Sequence, residues 1–265
     1  MPEGAEVKII GGDLSLAVGT DKIMSIKPIS GRYIKKPIEG LDILPIPSKV
    51  VGVGVKGKLI FWILDNDFYI LNTLGMTGGW SLNQKKHSRV AFELSKKTVY
   101  FNDSRNFGTL KVIKGRTNFL GKLDSIGPDM LSEEVSDELF SFCIRGARGK
   151  TVCEAIMNQK NISGVGNYVK AEALYRAKIN PHRIVEDLSD EEMTSLNAAI
   201  KDVLRRAYHD QGASIRDYRK VDGEAGEATL EFKVYGKKFT PDGLAVIRTE
   251  TPDGRTTHWC PEVQI

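Results

Sequence analysis

The stretch Gln159-Lys-Asn-Ile-Ser-Gly-Val-Gly166-Asn167-Tyr-Val-Lys-Ala-Glu-Ala-Leu-Tyr175 decides how the chain is divided. Its glycines form a turn that runs straight into a helical pattern, so unpaired backbone N–H groups and the positive end of the helix dipole point the same way. Two readings stand side by side: a phosphate-binding turn, or a tight connection between two helices. GVGN lacks the GxGxxG spacing and no βαβ unit surrounds it, which disfavours a dinucleotide fold. Around it, everything from Ser132 to about Asp217 reads as helices. Ser189-Asp-Glu-Glu192 is a capping box, and Met193, Leu196, Ile200, Val203 and Ala207 continue it as an amphipathic helix.

Upstream the period changes from 3.6 to 2. Ile10, Leu14, Ala17 and Val18 make one apolar stripe on a short helix ended by Gly19. Lys49 to Val55, Lys58 to Leu64 and Phe68 to Leu74 are rich in β-branched and aromatic residues, as are Arg89 to Leu94 and Thr98 to Phe101. About four or five short strands separated by turn signals predict a half or whole antiparallel β-sandwich up to about residue 115. Gly115 to Pro128 is expected as a connector. In the tail, Glu231 to Tyr235, Leu244 to Thr249 and Thr256 to Trp259 look like short strands with Pro241-Asp-Gly and Pro252-Asp-Gly as turns.

Composition narrows the class. The chain has 265 residues, 41% hydrophobic, with 38 Lys+Arg against 34 Asp+Glu, a net +4 that permits an acidic partner without demanding one. Its three cysteines, Cys143, Cys153 and Cys260, include no CxxC or CxH pair, so a disulfide framework and a cysteine zinc site both fail. No apolar run reaches the roughly 18 to 20 residues of a membrane helix. The opening Met-Pro-Glu-Gly-Ala-Glu has no basic segment followed by a hydrophobic core, and the expected setting is a reduced, intracellular compartment, with no cleaved targeting peptide.

Six places carry candidate chemistry. Removal of Met1 would leave Pro2 with a free secondary amine beside Glu3; an α-amine of pKa roughly 7.7 to 8 is partly neutral near pH 7, whereas a lysine needs burial to match it. The competing reading is a helix-start proline followed by a favourable first-turn acid. Val55-Lys-Gly-Lys58-Leu sets a lysine at a strand edge, suited to a phosphate or to discouraging edge pairing. Thr73-Leu-Gly-Met76-Thr-Gly and Asn102-Asp-Ser-Arg105-Asn-Phe107-Gly carry bulky residues between glycines, the types that wedge between base steps, although Met76 and Phe107 are also ordinary core residues. Asn167 follows the glycine turn. Arg255 sits at the tip of the last expected hairpin, where it can meet a backbone phosphate. His87, His182 and His258 have no metal spacing.

The order of these signals is more specific than any one of them. MPEGxE, the lysine before the second strand block, LGMTG, DSRNFG, IGPD, ISGVGN, VYGKK and GRTTHW together resemble the formamidopyrimidine-DNA glycosylase and endonuclease VIII family over essentially the whole chain. Gly4 is more similar to the endonuclease VIII branch. The resemblance implies a multidomain α+β fold: a catalytic β-sandwich with its N-terminal helix over 1–118, a linker over 119–131, a helix–two-turns–helix domain over 132–222, and a β-hairpin finger over 223–265. It implies a bifunctional DNA glycosylase and abasic-site lyase of base excision repair that removes oxidised pyrimidines, with hydantoins and formamidopyrimidines left open.

By the same resemblance Pro2 is the Schiff-base nucleophile, Glu3 the acid that protonates the opening sugar, and Glu6 their support. Lys58, Asn167 and Arg255 are phosphate contacts, with Lys58 assisting the first elimination and Arg255 the second. Met76, Arg105 and Phe107 fill the void left by a flipped nucleotide, and His87 and Lys150 are further DNA contacts. Bacterial members carry a four-cysteine zinc finger; here Cys260 stands alone, so the finger resembles the zincless form and no cofactor is expected. Ala5 stands where proline is usual. Ser214 to Gly226 would close over the flipped base, its length closer to the formamidopyrimidine branch. The expected partner is damaged DNA, double-stranded and also single-stranded, engaged by a monomer with no membrane contact. A damage-binding module without catalysis is the alternative, opposed by the Pro2-Glu3 pair. A protein that shares only the helix–two-turns–helix element is opposed by the full-length motif order.

Overall fold

A computed structural model describes residues 2–210 and 231–265, which group into two compact units, one reaching to Asp124 and the other formed by Ser125–Asp210 with the C-terminal stretch. The segment from Ser214 to Gly226, expected to close over a base, lies outside the described residues, as does the boundary at 222/223.

The first unit begins with helix α1 (Gly4–Val18), ended by Gly19 at φ +56°. Strand β1 (Lys22–Pro28), a helical turn α2 (Arg32–Lys35), and strands β2 (Ser48–Lys56), β3 (Leu59–Leu64), β4 (Phe68–Thr73), β5 (Gly78–Ser81), β6 (Ser88–Leu94), β7 (Thr98–Asp103) and β8 (Thr109–Lys114) follow. The strand order is β5-β7-β6-β1-β2-β3-β4-β8, all antiparallel. β1 and β2 pair only at Lys22–Lys49 and Ile23–Ser48, and register breaks fall beside that short seam, so the sheet folds over on itself there. The aromatic contacts require it: Trp62 of β3 lies 5.2 Å from Phe92 of β6 and 5.4 Å from Trp80 of β5, strands far apart in the order. The result is the expected sandwich. Val7, Ile10, Leu14 and Val18 of α1 join its core. Gly11 lets the helix lie close, because a Cβ there would meet Val55 Cγ2 at 2.2 Å.

Two expectations are corrected here. Strands β1, β5 and β8 extend the predicted set, and the expected connector from Gly115 begins with a helix, α3 (Arg116–Asp124). Phe119 anchors α3 by stacking on Tyr69 at 4.1 Å and meeting Phe61 edge-on at 5.1 Å.

The second unit contains α4 (Asp137–Arg145), α5 (Val152–Met157), α6 (Asn167–Arg176) and α7 (Asp190–His209). The expected capping box is present: Glu192 N–H donates to Ser189 Oγ at 3.2 Å and Ser189 N–H to Glu192 Oε2 at 2.8 Å. Gln159 staples the turn before α6, accepting from Gly164 N–H and donating to the Met157 and Val165 carbonyls. The IGPD segment packs against the same turn: Ser163 Oγ donates to the Gly127 carbonyl, and a Cβ at Gly127 would meet the Asn161 carbonyl oxygen at 2.5 Å.

The tail forms one hairpin, β9 (Ile247–Thr251) and β10 (Arg255–Trp259), with Gly254 at φ +72° in the turn. Glu231 to Tyr235 is not a strand, contrary to its composition. The N–H groups of Lys233, Val234 and Tyr235 instead all donate to the Glu172 carboxylate of α6, at 3.0, 2.9 and 2.8 Å. Val234 and Cys260 pack with Ala171 and Tyr175 of the same helix. No helix among the described residues is long and apolar enough to cross a membrane.

Glu172 is 1% exposed. Charge-assisted hydrogen bonds contribute about 1.5 to 3 kcal/mol, so Glu172→Gln is expected to lower stability by about that amount, read as a lower urea midpoint at unchanged m-value.

Candidate nucleic-acid interface and active site

At the amino end, Pro2, Glu3 and Glu6 are buried together at the start of α1. Glu3 is the N-cap residue, in extended conformation, and its N–H donates to Glu6 Oε2 at 2.8 Å. That bond fixes the Pro2–Glu3 peptide against the helix. An acid at a helix N-terminus is favoured by the dipole, so this contact of Glu6 is one that a helix start makes for its own stability. Lys58 occupies the two-residue turn between β2 and β3. Gly57 ahead of it has φ +57°, the first-position sign of a type II′ hairpin turn.

Met76, Arg105 and Phe107 come together in the same unit. Gly75 and Gly108 allow the approach: a Cβ on Gly75 would sit 2.7 Å from the Phe107 carbonyl carbon and 2.8 Å from Gly108 N. Phe107 is 54% exposed and the Arg105 guanidinium lies 5.0 Å from its ring centre, which removes the core reading for Phe107. An exposed cation–π contact contributes about 0.5 to 1 kcal/mol. Beneath them lies Asp103, 1% exposed, accepting from Thr77 Oγ1 at 2.6 Å, Gly108 N–H at 2.7 Å and Arg105 N–H at 3.2 Å. Thr77, next to Met76, also accepts from Arg105 N–H at 3.1 Å, so both loops hang on one carboxylate. The Arg89 side chain adds donors to the Asp103 and Ser104 carbonyls. His87 is exposed beside this loop, its carbonyl accepting from Asp103 N–H at 3.0 Å.

In the second unit Asn167 is the first residue of α6, behind N-cap Gly166, and the helix has no side-chain cap and no acid in its first turn. Its Nδ2 donates to the Thr256 carbonyl at 3.0 Å, which brings it beside the exposed Arg255. No described residue pairs with the Arg255 guanidinium. Lys150 lies elsewhere in the unit, before α5, and donates to Glu154 Oε1 at 3.0 Å. Glu154 also accepts from Thr151 N–H; these bonds, that to the Thr151 backbone foremost, hold its carboxyl below the usual range.

The donor set for a finger metal does not converge. All three cysteines are free, and no cluster of His, Cys, Asp or Glu among the described residues could hold a metal ion. Cys260 is packed in apolar surroundings against α6, and burial pushes the Cys153 thiol up to about 12.

Residues that sequence reading did not select are Asp103, Thr77 and Arg89 in the first unit and Lys170, Glu172 and Asp253 in the second. If Asp103 organises the two loops, Asp103→Asn should cost about 1.5 to 3 kcal/mol and speed hydrogen exchange at the Arg105 and Gly108 amides. Unchanged exchange there would show that the loops hold themselves.

Comparison with known proteins places these features. The profile of the formamidopyrimidine-DNA glycosylase N-terminal domain matches residues 1–110, and that of the formamidopyrimidine-DNA glycosylase H2TH domain matches 126–219. The formamidopyrimidine-DNA glycosylase of Cytobacillus firmus is 31% identical over 277 residues, covering 100% of both chains, and that of Thermus thermophilus is 32% identical over 223 residues, 82% of each. Among solved structures, the MutM (FPG) protein from Thermus thermophilus superposes with a TM-score of 0.88 at 28% identity, covering 99% of this chain and 98% of that one. Lactococcus lactis Fpg in complex with abasic-site DNA gives 0.86 at 26% identity, covering 99% of both. A chain with this sandwich, this helix–two-turns–helix unit and relatives this similar along its whole length belongs to the formamidopyrimidine-DNA glycosylase family, a family of DNA glycosylases and abasic-site lyases of base excision repair.

Proposed function

We propose that this protein excises oxidised bases from DNA through Pro2 and then cleaves the backbone on both sides of the sugar. The observation that carries the reading is the start of α1, where Pro2 and Glu3 are buried and Glu6 holds the Glu3 amide at 2.8 Å. The Glu3–Glu6 bond is one that an ordinary helix start also makes; what a non-catalytic binder has no need of is a secondary amine beside an acid at that place. The damaged nucleotide leaves the stack, at a cost of a few kcal/mol that is least for a damaged base. Met76, Arg105 and Phe107, held as one wedge by Asp103, fill the gap.

After loss of Met1, the Pro2 nitrogen lone pair attacks C1′, the base departs with the glycosidic electron pair and takes up a proton, and the nitrogen gives up its N–H proton, which restores its lone pair. Glu3 protonates the ring oxygen, the C1′–O bond opens, and the nitrogen lone pair forms a permanently charged iminium. That cation acidifies C2′. Loss of the C2′ proton expels the 3′ phosphate, and a second elimination expels the 5′ phosphate. Lys58, Asn167 and Arg255 supply phosphate contacts, Lys58 assisting the first elimination and Arg255 the second. Each phosphate neutralised steepens the log–log salt dependence of binding by about 0.9.

The substrates are oxidised pyrimidines, suggested by Gly4, together with formamidopyrimidines and hydantoins. The formamidopyrimidines gain support from relatives that carry the formamidopyrimidine name and from a Lactococcus lactis FPG variant solved with Fapy-dG containing DNA, a neighbour at TM-score 0.86 and 25% identity. DNA is engaged by a monomer. The finger folds without zinc, a reading supported by the Glu172 cradle and the apolar packing of Cys260.

Borohydride trapping on an abasic-site oligonucleotide tests the chemistry. The mature protein is expected to form a covalent adduct, Pro2→Gly a weaker one, and protein retaining Met1 none. Equal trapping by the Met1 form would assign the nucleophile to a lysine, and binding without any adduct would leave a damage-recognition module. Cleavage of a panel with thymine glycol, dihydrouracil, 8-oxoguanine and hydantoin lesions in single and double strands ranks the substrates. Treatment with a strong zinc chelator is expected to leave both the melting temperature and the cleavage rate unchanged.

A further inference from the structure

Arg255 begins β10 immediately after a turn that contains a carboxylate, Asp253, two residues away. Left to itself this is an unfavourable place for a phosphate contact. The carboxylate would compete for the guanidinium and repel an incoming phosphate. The structure gives Asp253 another partner: Lys170 of α6, whose Nζ lies 2.9 Å from Asp253 Oδ2, with side chains 0% and 7% exposed. The other oxygen, Oδ1, accepts from Arg255 N–H at 3.2 Å and from the Thr251 hydroxyl, which also lies 2.8 Å from the Arg255 carbonyl. Lys170 Nζ reaches Thr251 Oγ1 as well, at 3.4 Å. One turn earlier on α6, Asn167 holds the carbonyl of Thr256. The backbone of Arg255 is therefore fixed at its N–H, at its own carbonyl and at the next residue, while the guanidinium stays exposed and unpaired by any described residue.

We propose that Lys170 and Asp253 are positioning residues for Arg255: Lys170 neutralises Asp253, Asp253 fixes the Arg255 backbone, and the guanidinium is thereby kept for the DNA phosphate. The choice of an ion pair is itself informative. A buried pair gains little over well-packed apolar residues, because desolvation offsets most of the attraction. A hairpin that needed only adhesion would be held as well by apolar contacts, of which the tail around it already has several at Val234 and Cys260. What aliphatic residues cannot do is orient a backbone N–H and cancel a charge beside an arginine. The pair also joins residues 83 apart in sequence, so the helix that carries Asn167 sets the place of Arg255.

This inference rests on the reading of Arg255 as a phosphate contact that assists the second elimination, and the experiment separates the two. Full-length protein is given a duplex with a single abasic site, and the ratio of δ- to β-elimination product is measured beside borohydride trapping. Displacing a reacting group by about 1 Å costs up to roughly a hundredfold. Lys170→Met is accordingly expected to lower the δ:β ratio by at least about tenfold while trapping stays within about twofold, and Lys170→Arg is expected to retain the ratio. Lys170→Met combined with Asp253→Asn, which removes the unpaired carboxylate, is expected to recover part of the loss and to restore a steeper salt dependence of binding. An unchanged ratio in folded Lys170→Met overturns the proposal, and so does a double variant no better than the single one. If Lys170→Met does not fold, Asp253→Ala, which removes the acceptor of the Arg255 N–H as well as the charge, decides: a lowered ratio supports the positioning role and an unchanged one overturns it. An Arg255→Ala variant that leaves the ratio and the affinity unchanged removes the underlying reading instead.

Discussion

One buried carboxylate organises the second unit. Glu172 sits inside helix α6 and takes the N–H groups of three successive residues, which turns an extended-looking segment into a bend and starts the tail in the right place. An ionised group is costly to bury unless its oxygens are filled, and here backbone amides fill them. Everything after it follows on the same helix: Ala171 and Tyr175 receive Val234 and Cys260, Lys170 receives Asp253, and Asn167 receives Thr256. A ten-residue helix thus serves as the spine of the finger. The first unit has a parallel device in Asp103, where one buried carboxylate ties two loops from different strand pairs.

These two carboxylates share a logic. Each is withdrawn from solvent, and each takes backbone N–H groups of a neighbouring segment. The exposed groups, Arg105 and Phe107 in one unit and Arg255 in the other, are positioned by backbone bonds, which leaves their side chains free to meet a ligand. Preorganisation of that kind reduces the ordering cost of binding.

Sequence reading recovered the elements whose periodicity is strong. Helix α1 with its Gly19 stop, strands β2 to β4, the β6–β7 hairpin and the capped α7 were all legible, because burial of one face leaves a period that survives in the residues. Strand β5 was not, since Gly78-Gly79 reads as a turn; it is a strand because Trp80 drives it into the core beside Trp62 and Phe92. Helix α3 was hidden in a polar stretch and is anchored through Phe119 alone among its residues. Among the site residues, Pro2, Asn167, Arg255 and the Met76, Arg105 and Phe107 trio could be selected from chemistry and order. Lys170, Glu172, Asp103 and Asp253 could not. A charged residue on a helix or in a turn normally marks a solvated face, and what reverses that meaning is a partner tens of residues away.

The groups that hold the finger have one more property in common. They are an ammonium on a carboxylate, amides on a carboxylate, a side-chain amide on a carbonyl, and aliphatic packing; among the described contacts none uses a thiolate. Thiolates are the first protein groups that oxidants attack, and the attack is selective for exposed sulfur of low pKa. Cys260, the one sulfur of the finger, is fully buried. An oxidant therefore finds no exposed thiol among the described residues of the finger that presents Arg255.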